Sequence, residues 1–231
     1  MNHEPSPPQA TRCVIFDCDG VLVDSEVIAN RTVLEMLEPY GFTMTAAAFG
    51  REFAGKVEED ILRIIQEEHH IDLPDDFNQS LRQAIDHRLD NELQPIAGMK
   101  EVVAAVTPPR AVVSNSRLVR VVASLKVAGL SDLFGDNVFA VDLVDRPKPA
   151  PDLYLLAAQR LEVEPAACLV VEDSASGVTA AHRAGMAVVG FLAASHITEG
   201  HGDALRAAGA YATAANATDL MNHLRSAGAV R

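Results

Sequence analysis

The sequence predicts an α/β protein: a Rossmann-like parallel sheet core with an inserted α-helical domain. Three features carry that prediction. Short, continuously apolar runs rich in β-branched residues recur along the chain, helical patterns separate them, and residues 24–94 break the alternation with helices alone. A short apolar run bounded by polar residues reads as a strand buried on both faces. Strands that alternate with helices form βαβ units with parallel pairing.

The first strand is Cys13-Val14-Ile15-Phe16, followed at once by Asp17, Asp19 and Gly20. The insertion comes next, with amphipathic helices over 26–38, 58–69 and 76–92. In the second of these, Val57, Ile61, Ile64 and Ile65 keep helical spacing. The alternation then resumes, with strands at 111–113, 138–141, 168–171 and 187–191 and helices at 98–106, 117–128, 151–161 and 175–184. The chain thus divides into a core of residues 1–23 and 95–231 and an inserted domain of residues 24–94. Ligands of such sheets sit at the carboxyl ends of the strands. Asp17, Asp19, Ser114, Asn115, Glu172 and Asp173 all follow the last apolar residue of a strand.

Composition narrows the function classes. At 231 residues and 48% apolar, the chain has ample material for one large domain carrying an insertion, which excludes global disorder. A net charge of −13 argues against non-specific nucleic-acid binding, which depends on Lys and Arg neutralising phosphates. The imbalance is concentrated in residues 24–94, with 16 acidic against 6 basic, while the rest carries 16 against 13. No apolar run approaches the roughly 18–20 residues that span a bilayer. The opening M-N-H-E-P-S-P-P lacks the basic and apolar regions of a signal peptide. Cys13, Cys18 and Cys168 fit neither a disulfide framework nor a zinc site and suit a reducing cytosol. The expectation is a cytoplasmic monomer or weak homodimer that binds neither nucleic acid nor membrane.

Four segments carry chemistry. Asp17 and Asp19 lie two apart in extended chain, so both can address one ligand while Gly20 turns the backbone away. Alone, D-x-D also describes surface acids and unrelated metal sites. Glu172-Asp173 ends another strand, with Ser174 placed to cap the next helix. If the two strands are neighbours, up to four carboxylates converge, and unit charges 4 Å apart repel by about 4 kcal/mol at an effective dielectric of 20. Oxygen-only donors of this kind favour a hard cation, with Mg²⁺ the usual one beside phosphate. Ser114-Asn115-Ser116 offers hydroxyl and amide donors for phosphoryl oxygens, or simply a helix cap. Lys148 stands between two prolines in R-P-K-P-A-P-D, which fixes its direction; it reads as a rigid cation beside the carboxylates or as a lysine in a surface turn.

Taken together, D-C-D-G-V-L-V-D-S at 17–25, V-V-S-N at 112–115, R-P-K-P-A-P-D at 146–152 and V-V-E-D-S-A-S-G at 170–177 closely resemble the haloacid-dehalogenase superfamily. The insertion resembles the helical cap of its β-phosphoglucomutase-like phosphatase branch. The resemblance implies the haloacid-dehalogenase fold and specific roles. Asp17 matches the nucleophile, Asp19 the general acid and base, Ser114 the phosphoryl hydrogen-bond donor with Asn115 beside it, and Lys148 the partner of nucleophile and phosphoryl group. Asp17, Asp173 and the backbone carbonyl of Asp19 match Mg²⁺ ligands, with Glu172 contributing directly or from behind.

Departures separate the branches. Dehalogenases and phosphonoacetaldehyde hydrolases lack the second acid, which here is Asp19. The mutase's cap histidine and arginine are replaced by Ala29 and Glu58. Further runs, F-D-C-D-G-V-L-V-D-S-E-V-I and L-D-N-E-L-Q-P-I-A-G, most resemble the bacterial 6-phosphogluconate phosphatases. Lys56 is the only lysine of the insertion; it is a candidate contact for a distal carboxylate or hydroxyl of the substrate, or a solvated lysine at a helix start. The reading is an Mg²⁺-dependent hydrolase of a small phosphorylated sugar or sugar acid. A hexose-phosphate mutase and a phospho-accepting receiver module are the alternatives.

Overall fold

The computed structural model describes residues 10–53 and 58–230. Six parallel strands form one sheet in the order β3-β2-β1-β4-β5-β6: β1 (Cys13–Phe16), β2 (Arg110–Ser114), β3 (Val138–Ala140), β4 (Cys168–Glu172), β5 (Ala187–Phe191) and β6 (Ala212–Ala214). β1 lies between β2 and β4, with Phe16 in register with Val112 on one side and Val171 on the other. All four residues of β1 are buried, as a strand covered on both faces requires. The strand order reverses about β1, which places the crevice of an open α/β sheet beside the tip of this strand.

The helices of the insertion are α1 (Glu26–Leu37), α2 (Ala46–Glu52), α3 (Glu58–His69) and α4 (Phe77–Glu92). Those of the core are α5 (Met99–Ala105), α6 (Leu118–Val127), α7 (Ser131–Phe134), α8 (Asp152–Arg160), α9 (Ala175–Arg183), α10 (His201–Ala208) and α11 (Ala217–Ser226). The chain separates into two compact units, Met1–Asp24 with Gln94–Arg231, and Ser25–Leu93.

Within the smaller unit, α1 buries Ile28, Val33 and Leu37 while α4 buries Phe77, Leu81, Ile85 and Leu89 at i, i+4 spacing. Arg31 pairs with Glu92 and Arg88 with Glu35 across these two helices. Both pairs are exposed to solvent and add little to the apolar packing. α2 falls where the periodicity gave no helix. Its seven residues bury only Phe49, and its start is fixed by the Thr45 hydroxyl accepting from the Ala48 N–H at 3.2 Å.

In the larger unit, Ile15, Val113, Leu153, Tyr154, Val170, Val178 and Val188 share one apolar core. Small residues Gly177, Ala180 and Ala181 let α9 lie close to the sheet. Cys13, Cys18 and Cys168 are buried thiols without a disulfide. Among the described residues, no helix is long and apolar enough to cross a membrane.

Candidate active site

The site is built at the carboxyl end of β1. Asp17 extends the ladder by one residue, donating its N–H to the Val171 carbonyl at 2.9 Å, and so stands beside Glu172. The chain then folds back on itself. Leu22 and Val23 N–H groups both bond the Cys18 carbonyl, and Gly20 N–H bonds the Val23 carbonyl. Gly20 has a positive φ of 81°, and a Cβ there would lie 1.8 Å from Asp173 Oδ2. Glycine is therefore required twice at this position, by backbone conformation and by space.

Lys148 Nζ donates to Asp17 Oδ1 at 2.6 Å, to Glu172 Oε1 at 2.6 Å and to the Val113 carbonyl at 3.0 Å, which uses all three of its protons. Its backbone is fixed by Asn115. The amide nitrogen of Asn115 donates to the Lys148 carbonyl at 3.1 Å, and its amide oxygen accepts the Lys148 N–H at 3.0 Å. The Asn115 side chain, expected against the substrate, is thus committed to holding Lys148 in place.

The Glu172 carboxylate is fully buried and wholly engaged. Oε1 takes Lys148 Nζ and, at 3.2 Å, the Tyr154 hydroxyl, while Oε2 accepts the Ser174 N–H at 2.8 Å and its hydroxyl at 2.9 Å. Ser174 also caps α9 by accepting the Gly177 N–H at 3.0 Å. Asp19 points the other way, with Oδ2 accepting from Ser116 Oγ at 2.8 Å and Ser114 Oγ at 3.2 Å. The Ser114 hydroxyl, expected to donate to a phosphoryl oxygen, donates here to Asp19 and accepts the Ser116 N–H at 2.9 Å.

Carboxylate oxygens of Asp17, Glu172 and Asp173 lie within 4.8 Å of one another. Burial pushes the Asp17 carboxyl well above the usual carboxylate range; Lys148 opposes that push, and Glu172, Asp173 and Asp19 add to it. Burial alone would lower Lys148, but Asp17 and Glu172 hold its ammonium well above the ordinary lysine value. Three carboxylates therefore crowd together with one lysine ammonium bonded to two of them, which leaves a surplus of negative charge. An all-oxygen donor set with this surplus fits a hard divalent metal.

A family model described as haloacid dehalogenase-like hydrolase matches residues 14–191, a span that holds every residue just described. The chain belongs to this family. It is 34% identical over 184 residues to 6-phosphogluconate phosphatase of Escherichia coli, covering 79% of this chain and 83% of that protein. It is also 34% identical over 179 residues to a fructose-1-phosphate phosphatase of Escherichia coli, covering 76% of this chain and 94% of that one. A haloacid dehalogenase family hydrolase from Deinococcus radiodurans, solved with bound phosphate and sodium, superposes with a TM-score of 0.84 at 31% identity, covering 97% of this chain and 99% of that one.

Of the residues singled out from sequence, Asp17, Asp19, Ser114, Asn115, Lys148, Glu172 and Asp173 gather at the tips of β1, β2 and β4 and the segment before α8. Lys56 lies outside the described residues. Sequence reasoning passed over Tyr154 as an ordinary member of a helical pattern. Ser116 was grouped with its neighbours without a role of its own, although its hydroxyl makes the shorter bond to Asp19.

Proposed function

We propose that this haloacid dehalogenase-like hydrolase is an Mg²⁺-dependent phosphatase of small phosphorylated sugars or sugar acids, with 6-phosphogluconate the first substrate to try. The observation that carries the reading is the buried Asp17 carboxylate, fixed against Lys148 with a second acid, Asp19, two residues away. The two relatives named above, which act on phosphorylated sugar compounds, support the substrate class.

In this reading Asp17 attacks phosphorus, the bond to the ester oxygen breaks, and Asp19 gives its proton to the departing alkoxide. Water then attacks the aspartyl-phosphate, Asp19 takes the water's proton, and the phosphorus–Asp17 bond breaks to release phosphate. Splitting the displacement in two replaces one difficult step with two easier ones. Ser114 and Ser116 hold Asp19 for its two proton transfers, while Lys148, bonded to Asp17, steadies its charge and adds positive charge near the phosphoryl group. Asp17, Asp173 and the Asp19 carbonyl would hold the metal, with Glu172 locking Lys148 behind them. When bound, the metal supplies positive charge that draws the phosphate to the carboxylates.

The test is phosphate release from a panel of sugar phosphates and p-nitrophenyl phosphate with Mg²⁺, comparing wild type with Asp17→Asn. The variant is expected to lose on the order of 10⁴-fold or more in turnover while its circular dichroism stays unchanged. No release from any substrate by the wild type, or retained turnover in Asp17→Asn, overturns the reading.

A further inference from the structure

Two histidines outside the four sequence motifs converge on Asp173. They are delivered by residues 192–200, which follow β5, and by the first residue of α10. His196 Nε2 lies 3.2 Å from Asp173 Oδ2, and His201 Nε2 lies 2.5 Å from the Asp173 backbone carbonyl. The two rings stand edge to face with centroids 6.2 Å apart. The preceding residue, Ser195, anchors the segment. Its N–H bonds Asp24 Oδ1 at 3.2 Å, and its hydroxyl bonds Asp24 Oδ2. Asp24 is in turn tied to the returning chain through its own N–H on the Gln94 carbonyl at 3.1 Å.

The chemistry of the partners assigns the protons. A backbone carbonyl only accepts, so His201 carries hydrogen on Nε2, and the same holds for His196 Nε2 against a carboxylate oxygen. His196 Nδ1 is buried with no hydrogen-bond partner among the described residues, an arrangement that costs free energy. His196 Cε1 would stand 3.0 Å from a Gly20 Cβ, so the glycine leaves room for the ring beside Asp173. An imidazole N–H at one oxygen of this carboxylate, with a second imidazole on the residue's own carbonyl, restricts how the side chain can turn. Residues that hold a metal ligand from behind in this way set its orientation and basicity.

We infer that His196 and His201 are positioning residues for Asp173, fixing its carboxylate for a divalent cation shared with Asp17. This rests on the reading of Asp173 as a metal ligand, and the experiment separates the two. Mn²⁺ binding to the purified, EDTA-stripped and dialysed protein is measured by electron paramagnetic resonance for wild type, Asp173→Asn, His196→Ala, His201→Ala, His196→Gln and His201→Gln. Circular dichroism melts of each variant serve as the folding control. Asp173→Asn is expected to abolish tight Mn²⁺ binding. Each alanine variant is expected to weaken it roughly tenfold to a hundredfold, and each glutamine, which keeps an N–H donor, to recover most of the loss. A structural role alone would lower the melting temperature without moving Mn²⁺ affinity. Folded alanine variants that bind Mn²⁺ like wild type, while Asp173→Asn does not, overturn the positioning role and leave the metal site standing. If the alanine variants do not fold, glutamine variants that fold but bind no better than Asp173→Asn overturn it equally. Wild type that binds no Mn²⁺, or Asp173→Asn that binds it unchanged, overturns the metal reading and this inference with it.

Discussion

A Cβ added to Gly177 in the first turn of α9 would stand 1.5 Å from Glu172 Oε1, the oxygen that accepts Lys148. Neither side can yield cheaply, because Glu172 is fully buried and bonded on both oxygens. Gly177→Ala is therefore expected to destabilise the fold by about 1–3 kcal/mol, as overpacking does. It should also lower turnover at least tenfold by shifting the Lys148 contact. Gly50 provides the contrast. It lies inside α2, and the nearest atom to its imagined Cβ is Asn30 Nδ2 at 4.0 Å, so Gly50→Ala should stabilise by up to about 1 kcal/mol through helix propensity. Chemical denaturation and phosphate-release kinetics on the two variants check the pair; a Gly177→Ala enzyme with unchanged turnover would show that Glu172 does not set Lys148. The acids and Lys148 could be read from sequence because each sits at a strand tip or between prolines. His196 and His201 could not. They lie 23 and 28 residues beyond Asp173, and only the βαβ crossover brings them back to it.

At the scale of elements, Arg110 opens β2 and serves three carbonyls at once. Nη1 donates to Val103 and Val106 at 2.6 and 3.1 Å, and Nε donates to Leu133 at 2.7 Å. These carbonyls belong to the C-terminal ends of α5 and α7, where helices leave acceptors unsatisfied and favour positive charge. Arg110→Ala should cost about 2 kcal/mol, the scale of hydrogen bonds to a charged donor. For a chain of this length that is a fall in melting temperature of about 4–8 °C. Phosphatase turnover should be unchanged, since Arg110 lies at the opposite end of β2 from Ser114; an unshifted melting temperature would remove it from the list of structural residues. The elements legible in sequence are those with enough residues to show a period or an apolar run, such as β1, β4 and α4. β6 was missed because Ala212-Thr213-Ala214 contains one β-branched residue and no bulky one, and it is a strand only because β5 pairs with it in register. α2 and α7 were missed because seven and four residues with one buried side chain each barely show a helical period, whereas α10 and α11 have a clear apolar face and were legible in principle.

At the scale of the whole molecule, the −13 charge falls into two parts with different consequences. Most of it belongs to residues 24–94, whose ion pairs across α1 and α4 are exposed and screened by salt. The rest includes a concentrated deficit at one point, where the buried Asp17, Glu172 and Asp173 gather and Lys148 pairs with only the first two. A cation that fills this deficit stabilises the folded chain by mass action, because the unfolded chain does not bring these acids together. At a free Mg²⁺ concentration 100 times its dissociation constant the gain is about 2.7 kcal/mol, worth about 5–11 °C in melting temperature at this length. EDTA-treated protein is accordingly expected to lose phosphatase activity and to melt lower, and Mg²⁺ is expected to restore both. NaCl at matched ionic strength should restore neither, because screening acts on the exposed charges and barely reaches buried ones. In Asp173→Asn the Mg²⁺-dependent rise should shrink towards zero. Melting curves with and without Mg²⁺, read beside phosphate release in the same buffers, decide the matter. A melting temperature indifferent to Mg²⁺, together with activity that survives EDTA, would mean that Lys148 alone balances these acids.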